Sequence, residues 1–207
     1  MFTGIIQGCA KVLEIKKRNK LYIYKFKFPK NLSYNIKLGD SISNNGCCLS
    51  VTEIDKNNIS FDVMEETLLV TNLSFLSIGS IVNIERSLKF GDELGGHLLS
   101  GHIMNTAKIY NIIDVGDSKK IYFEIKDLQM MKYIFLKGFI GIDGISLTVN
   151  SIKDNTFSIC LIPETIFNTN MFSRMIGDLV NIEVDYYTQI IIDKLDQYLK
   201  QKNIVGL

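Results

Sequence analysis

The strongest constraint on this chain is that it repeats itself. Shifted by 98 positions, Gly46 to Glu85 lies on Gly144 to Glu183 without a gap, and 16 of those 40 pairs are identical. They include Gly46/Gly144, Leu49/Leu147, Val51/Val149, Glu66/Glu164, Thr67/Thr165, Thr71/Thr169, Gly79/Gly177 and the run Val82-Asn83-Ile84-Glu85 on Val180-Asn181-Ile182-Glu183. Nearer the start the offset is 97, with Phe2-Thr3-Gly4 on Leu99-Ser100-Gly101 and Ala10-Lys11-Val12 on Ala107-Lys108-Ile109. Whatever one copy folds into, the other must fold into as well. At about 150 residues per domain, 207 residues suit two small units, here 1–97 and 98–187, with 188–207 outside the repeat.

Within each copy the apolar pattern has period 2. Tyr22, Tyr24, Phe26 and Phe28 alternate with smaller or charged residues, as do Ile121, Phe123 and Ile125, and Ile59, Phe61 and Val63 match Phe157, Ile159 and Leu161. Turn-forming clusters separate these runs at Lys17-Arg18-Asn19-Lys20, Asp55-Lys56-Asn57-Asn58 and Lys153-Asp154-Asn155-Thr156. About six short strands per copy, almost without helix, point to a small antiparallel barrel, because closure removes exposed edges. The tail differs. From Thr188 to Lys202, Ile191, Ile192, Leu195, Tyr198 and Leu199 recur at helical spacing opposite Asp193, Lys194, Asp196, Lys200 and Gln201. A helix of four turns is marginal alone, so its stripe must bury either on its own barrel or in a bundle with neighbouring copies.

Composition excludes several function classes. With 23 Lys+Arg against 22 Asp+Glu the formal charge is +1, so no chain-wide field would hold nucleic acid or an anionic membrane. No apolar run approaches the length of a membrane span, and Lys16-Lys17-Arg18 reads as a solvated hairpin tip. The opening residues show no basic stretch followed by an apolar one of secretory length, and four cysteines, two adjacent as Cys47-Cys48, fit neither a disulfide framework nor a metal knuckle. A cytoplasmic protein with free thiols and no metal is the expectation.

Five motifs then occur in order: Met1-Phe2-Thr3-Gly4-Ile5-Ile6, Asn45-Gly46-Cys47-Cys48-Leu49-Ser50-Val51-Thr52, Gly95-Gly96-His97-Leu98-Leu99-Ser100-Gly101-His102, Gly138 through Val149, and Leu161-Ile162-Pro163-Glu164-Thr165. With the duplication they closely resemble the riboflavin synthase family of the alpha-subunit type. The resemblance implies an all-β protein of two tandem six-stranded antiparallel Greek-key β-barrels with a C-terminal trimerisation helix. It also implies a cofactor-free dismutation, in which two molecules of 6,7-dimethyl-8-ribityllumazine exchange a four-carbon unit to give riboflavin and 5-amino-6-ribitylaminouracil. Two pockets of one kind suit a reaction between two copies of one molecule, since holding both rings in register replaces a bimolecular encounter. In the family the site lies between the N-terminal barrel of one subunit and the C-terminal barrel of another within a homotrimer; association with lumazine synthase stays open.

By this resemblance Gly4, Ile5, Ile6, Cys48, Leu49, Ser50, Asp62, Val63, Met64, Glu65, Glu66 and Thr67 line the N-terminal half-site. Gly101, His102, Ile103, Lys137, Ser146, Leu147, Thr148, Ile162, Pro163, Glu164, Thr165, Ile166 and Phe167 line the other. Expected catalytic groups are His102 as proton shuttle, Ser146 or Cys48 as a polar group near C7, Thr148 and Ser50 as positioning donors, Asp143 and Asp185 as nearby carboxylates, and Phe2 as an aromatic anchor that closes the site or simply packs. Each has a structural alternative: Cys48 as a small core residue, His97 and His102 as satisfied structural histidines, Glu66-Thr67 and Glu164-Thr165 as shared turn architecture. Ser50 stands where the family commonly has threonine, which keeps the hydroxyl and loses a methyl. The rival function is a non-catalytic lumazine or flavin carrier on the same duplicated fold.

Overall fold

The computed structural model describes residues 1–201. Twelve strands form two closed antiparallel barrels. The first contains β1 (Gly8–Arg18), β2 (Leu21–Lys27), β3 (Ser41–Asn44), β4 (Cys47–Asp55), β5 (Asn58–Met64) and β6 (Ile81–Arg86), hydrogen-bonded in the order β1-β2-β5-β4-β3-β6. The second contains β7 (Asn105–Val115), β8 (Ser118–Ile125), β9 (Phe139–Ile142), β10 (Ile145–Lys153), β11 (Thr156–Leu161) and β12 (Leu179–Val184), in the corresponding order. Each is a six-stranded Greek key. The bulges repeat too: the register breaks between Val12 and Glu14 and between Val51 and Glu53, and again at Ile109/Asn111 and Val149/Ser151. An extra residue there bends a strand enough for the sheet to close on itself.

Alternation fills the barrels. Val12, Phe26, Ile42, Ile59, Phe61, Val82 and Ile84 are buried in the first, and Ile109, Phe123, Ile140, Phe157, Ile159, Val180 and Ile182 in the second. Phe28 is buried as expected, but it lies just past the end of β2. Short helices α1 (Lys30–Ser33), α2 (Glu65–Val70) and α3 (Pro163–Asn168) bridge strands, so each copy holds more helix than the period-2 pattern suggests. The α2 and α3 turns are equivalent in the repeat. In each, a threonine hydroxyl past the end returns to a carbonyl within it, Thr71 Oγ1 to Thr67 at 2.7 Å and Thr169 Oγ1 to Thr165 at 2.7 Å.

The C-terminal helix α4 (Tyr186–Gln201) starts two residues before Thr188, because the Asp185 carboxylate accepts from Thr188 N at 2.9 Å and Thr188 Oγ1 at 2.7 Å and caps it there. Lys202, the expected last residue, lies outside the described residues. The helix docks on the second barrel: Ile192 packs on the second core, Tyr133 donates to Asp193, and Lys132 bridges Asp193 at 3.2 Å and Asp196 at 2.7 Å. Tyr186, Ile190, Ile191 and Leu195 stay exposed. Among the described residues no helix is long and apolar enough to cross a membrane.

The barrels meet across a pseudo-twofold axis on which equivalent residues face each other. Phe2 and Leu99, paired by the 97-residue offset, exchange backbone bonds of 2.8 and 3.0 Å. The hairpin tips Asn45-Gly46 and Asp143-Gly144 also meet there, all four residues having positive φ, the conformation that a two-residue type I′ turn requires. A Cβ on Gly46 would come within 2.8 Å of Gly144 N, so glycine is needed for both turn and approach. Around the tips lies a buried polar network. Asn72 N donates to Asn181 Oδ1 and Asn170 N to Asn83 Oδ1, each at 2.6 Å, while Asn83 Nδ2 and Asn181 Nδ2 reach the Asp143 and Asn45 carbonyls at 3.0 and 2.8 Å.

Candidate active site

Strand polarity decides which expected residues are available. On β4 and β5 the side chains of Cys47, Leu49, Val51, Phe61 and Val63 are buried in the barrel, so Cys48, Ser50, Asp62 and Met64 occupy the outer face. Leu49 and Val63 are therefore corrected from lining residues to core residues. The second barrel repeats this pattern, with Ser146, Thr148 and Ile162 outward, while Leu147 and Ile166 pack against the core. Thr52 Oγ1, next outward on β4, joins Asp62 at 3.2 Å, which fixes that carboxylate on the outer wall. Met64 is 57% exposed and its counterpart Ile162 60%, so both faces present uncovered apolar surface beside polar groups. Lys137 is exposed in a left-handed turn, and its N–H donates to Val149 O beside Thr148. At the ends of these faces Glu65, Glu66, Pro163, Glu164 and Phe167 are exposed on α2 and α3, and Glu164 accepts from Asn168.

Two straps complete the faces, and they are exchanged. Residues 1–6 lead into the first barrel but lie against the second: Ser146 N donates to Gly4 O at 2.9 Å, and Ile6 packs on the second core. Residues 98–103 lead into the second barrel but lie against the first, where Cys48 N donates to Gly101 O at 2.9 Å and Ile103 packs on the first core. The expected grouping is thus corrected: Gly4 and Ile6 belong beside Ser146, Gly101 and Ile103 beside Cys48, and the exposed side chains of Ile5 and His102 follow their straps. A Cβ on Gly4 would stand 2.5 Å from Ser146 Cβ, and one on Gly101 2.4 Å from Cys48 Cβ. Phe2, 1% exposed, anchors its strap and does not border an open cleft, because its ring is packed under Gly101.

Each strap is held by a buried carboxylate that sequence reasoning passed over. Glu85 accepts from Thr3 N at 2.6 Å, Thr3 Oγ1 at 2.7 Å and Gly4 N at 3.0 Å. Glu183 accepts from Ser100 N at 2.6 Å, Ser100 Oγ at 2.8 Å and Gly101 N at 3.1 Å. Burial pushes both carboxyls above the usual glutamate range, and the bonds from their straps pull the other way. The signal was present in the sequence: a glutamate closing the same Val-Asn-Ile-Glu run in both copies. Above each carboxylate lies an equivalent cleft, of about 460 Å³ over Glu183 with His102, Met104 and Tyr186, and about 370 Å³ over Glu85 with Ile5, Gln7 and Arg86.

The two histidines differ. His102 is exposed, with Nδ1 2.9 Å from Ser100 Oγ. His97 is buried, stacked on Phe139 with ring centroids 5.0 Å apart, and its Nδ1 lies 2.6 Å from Ser146 Oγ. Burial lowers its pKa against the pull of Asp185, so the ring is neutral at pH 7 and orients the Ser146 hydroxyl without charge. Asp185 combines that influence with its capping of α4. Asp143 is corrected outright: it is fully buried at a hairpin tip, accepting from Asn72, Asn170, Asn181 and Arg174, and has no open side to offer a substrate.

Comparison with known proteins follows the same duplication. The lumazine binding domain family matches twice, over residues 3–87 and 100–185. A riboflavin synthase from Buchnera aphidicola subsp. Schizaphis graminum is 50% identical over 201 residues, 97% of either chain. One from Escherichia coli K12 is 47% identical over 199 residues, 96% of this chain and 93% of that one. Among solved structures, LumP complexed with riboflavin gives a TM-score of 0.83 at 30% identity, covering 89% of this chain and all of the other. LumP complexed with 6,7-dimethyl-8-(1'-D-ribityl) lumazine gives 0.81 at 28% identity, covering 89% and 99%. Matched in both halves and aligned almost end to end with such relatives, the chain belongs to the lumazine-binding family of riboflavin synthases.

Proposed function

We propose that this protein is a riboflavin synthase, and that its two outer barrel faces are the half-sites for two molecules of 6,7-dimethyl-8-ribityllumazine. The observation that carries the reading is that both faces are complete. Cys48, Ser50, Asp62, Met64 and Thr67 with Ile103 are matched by Ser146, Thr148, Cys160, Ile162 and Thr165 with Ile6. Short hydroxyl, thiol and backbone groups suit the carbonyl and nitrogen edge of a pteridine, while the Met and Ile side chains cover its faces.

The reaction balances between its two substrates. One lumazine loses a proton from its acidic 7-methyl group, the other adds a nucleophile at C7, and a four-carbon unit passes across. Riboflavin and 5-amino-6-ribitylaminouracil together contain the atoms and electrons of the two lumazines, so the dismutation calls for no external oxidant. The protein has to place the rings and move protons. Ser146, oriented by neutral His97, is the polar group for C7 at one half-site, with Cys48 its counterpart at the other. His102 is the proton shuttle, and Lys137, Thr148 and Ser50 position the ligands.

Each face is open in a single chain, and Leu69 and Phe167 beside them are 81% and 83% exposed. That supports a site closed by pairing the first barrel of one subunit with the second of another, in a homotrimer gathered by α4. The test is to mix purified protein with the lumazine alone. Riboflavin should appear by its absorbance, one per two lumazines consumed, with equimolar diaminouracil product. Tight binding without conversion would instead establish a carrier.

A further inference from the structure

We propose that Glu85 and Glu183 are positioning residues that act crosswise: Glu85 sets the half-site built on Ser146 of the second barrel, and Glu183 the one built on Cys48 of the first. The inference rests on the reading of these faces as half-sites and extends it to how they are aligned.

The connections between carboxylate and face are short. Glu85 stands on β6 of the first barrel and holds Thr3 and Gly4 with three hydrogen bonds. The Gly4 carbonyl then receives the Ser146 N–H of the second barrel, and the missing Cβ of Gly4 lets the two backbones touch. Glu183, on β12 of the second barrel, holds Ser100 and Gly101, whose carbonyl receives the Cys48 N–H of the first. A carboxylate is thus two residues of strap away from a candidate reacting group on the opposite barrel. Bonds of an ionised carboxylate to backbone N–H are among the stronger and more directional ones available to a protein.

An apolar side chain of similar volume would fill the same space but leave the strap N–H groups of Thr3 and Gly4, or of Ser100 and Gly101, without an acceptor, so each carboxylate is tied to the strap it faces. What the carboxylate adds is location, because accepting two consecutive amides fixes the strap to within a fraction of an ångström. Both repeats retain it where the strap residues beside it differ, Thr3 against Ser100 and Ile5 against His102.

The crosswise pattern can be read with thiol probes in the full-length protein. Cys48 is native to the first face, and S146C places an equivalent thiol on the second, with Cys9, on neither face, as the internal reference. Alkylation by iodoacetamide, followed peptide by peptide by mass spectrometry, is compared in the S146C background with E85Q and with E183Q. E183Q should change the Cys48 rate by about tenfold, the factor expected from losing one charge-assisted hydrogen bond, and leave position 146 within twofold. E85Q should do the reverse. If either substitution prevents folding, judged by circular dichroism, S100A and T3V each remove one bond to the carboxylate and should give the same pattern with a smaller change. Equal changes at both probes, changes confined to the carboxylate's own barrel, or no change in either would overturn the proposal. Wild-type conversion of lumazine is measured alongside, so that failure of the functional reading shows separately from failure of the crosswise one.

Discussion

Replacing Gly46 with alanine tests whether the two hairpin tips are as tightly opposed as their geometry says. Two penalties apply. At φ +82° an L-residue is strained by about 1–2 kcal/mol. The new Cβ would also stand 2.8 Å from Gly144 N and 3.1 Å from Gly144 Cα, both backbone atoms of a buried turn that cannot rotate aside. Overpacking of that kind costs a further 1–3 kcal/mol, roughly. Gly39 separates the terms: it belongs to the same barrel and has φ +84°, but nothing lies within 4 Å of its Cβ position. G39A should therefore lose only about 1–2 kcal/mol and G46A about 2–5 kcal/mol, a difference of roughly 1–3 kcal/mol. Urea unfolding at one fixed protein concentration, followed by far-UV circular dichroism, measures it, with concentration held because assembly shifts apparent stability. Should the two variants unfold within about 0.5 kcal/mol of each other, the tips are not in contact and the axis drawn through them is wrong.

Two further expectations concern assembly and pH. Leu195 lies on the exposed row of α4, so L195K should leave the melting behaviour of the barrels nearly unchanged, within about 0.5 kcal/mol, while sedimentation moves from the proposed trimer to monomer; an unaltered oligomer would remove that row from the interface. Because the folded pKa of Glu85 and Glu183 is raised above the unfolded value, folding takes up protons between the two values, and the stability contributed by the protonated forms is complete below the ordinary glutamate pKa and lost as pH rises through the raised one. The melting temperature of wild type minus that of E85Q/E183Q should therefore fall as pH increases across that window, and a flat difference would show that burial does not perturb these carboxyls.

Much of this was legible in the sequence, for physical reasons. A 98-residue offset with 16 of 40 identities forces two like folds, and alternation at Phe61 and Phe157 forces them to be strands with one face inward. Asn45-Gly46 and Asp143-Gly144 are hairpin signals of the strongest kind and could have been placed as tips before any coordinates existed. The exchange of the straps could not. A segment of six residues carries no period that says which barrel its Ile6 will enter, because either core offers the same aliphatic surface. Asp143 misled for a related reason: a carboxylate beside a motif looks available until the rest of its own barrel, more than 30 residues away in Arg174, and the first barrel, more than 70 away in Asn72, are folded over it.

The differences between the copies bear on why a duplicated protein does not remain symmetric. Where the duty is to hold, the copies agree: Glu85 with Glu183, Thr67 with Thr165, Asn72 with Asn170, Asn83 with Asn181. On the proposed half-site faces they diverge, Cys48 against Ser146, Ile5 against His102, Asp62 against Cys160. The pair of buried Asp143 with half-buried Arg174 shows that divergence also reaches the axis, because the first copy carries Asn45 and Leu76 at those positions and makes its turn without charge. The fold therefore does not require the pair. Two barrels that began alike have thus become unequal at their contact as well as on their outer faces, and on the proposed reading that inequality is what assigns one bound lumazine the part of donor and the other that of acceptor.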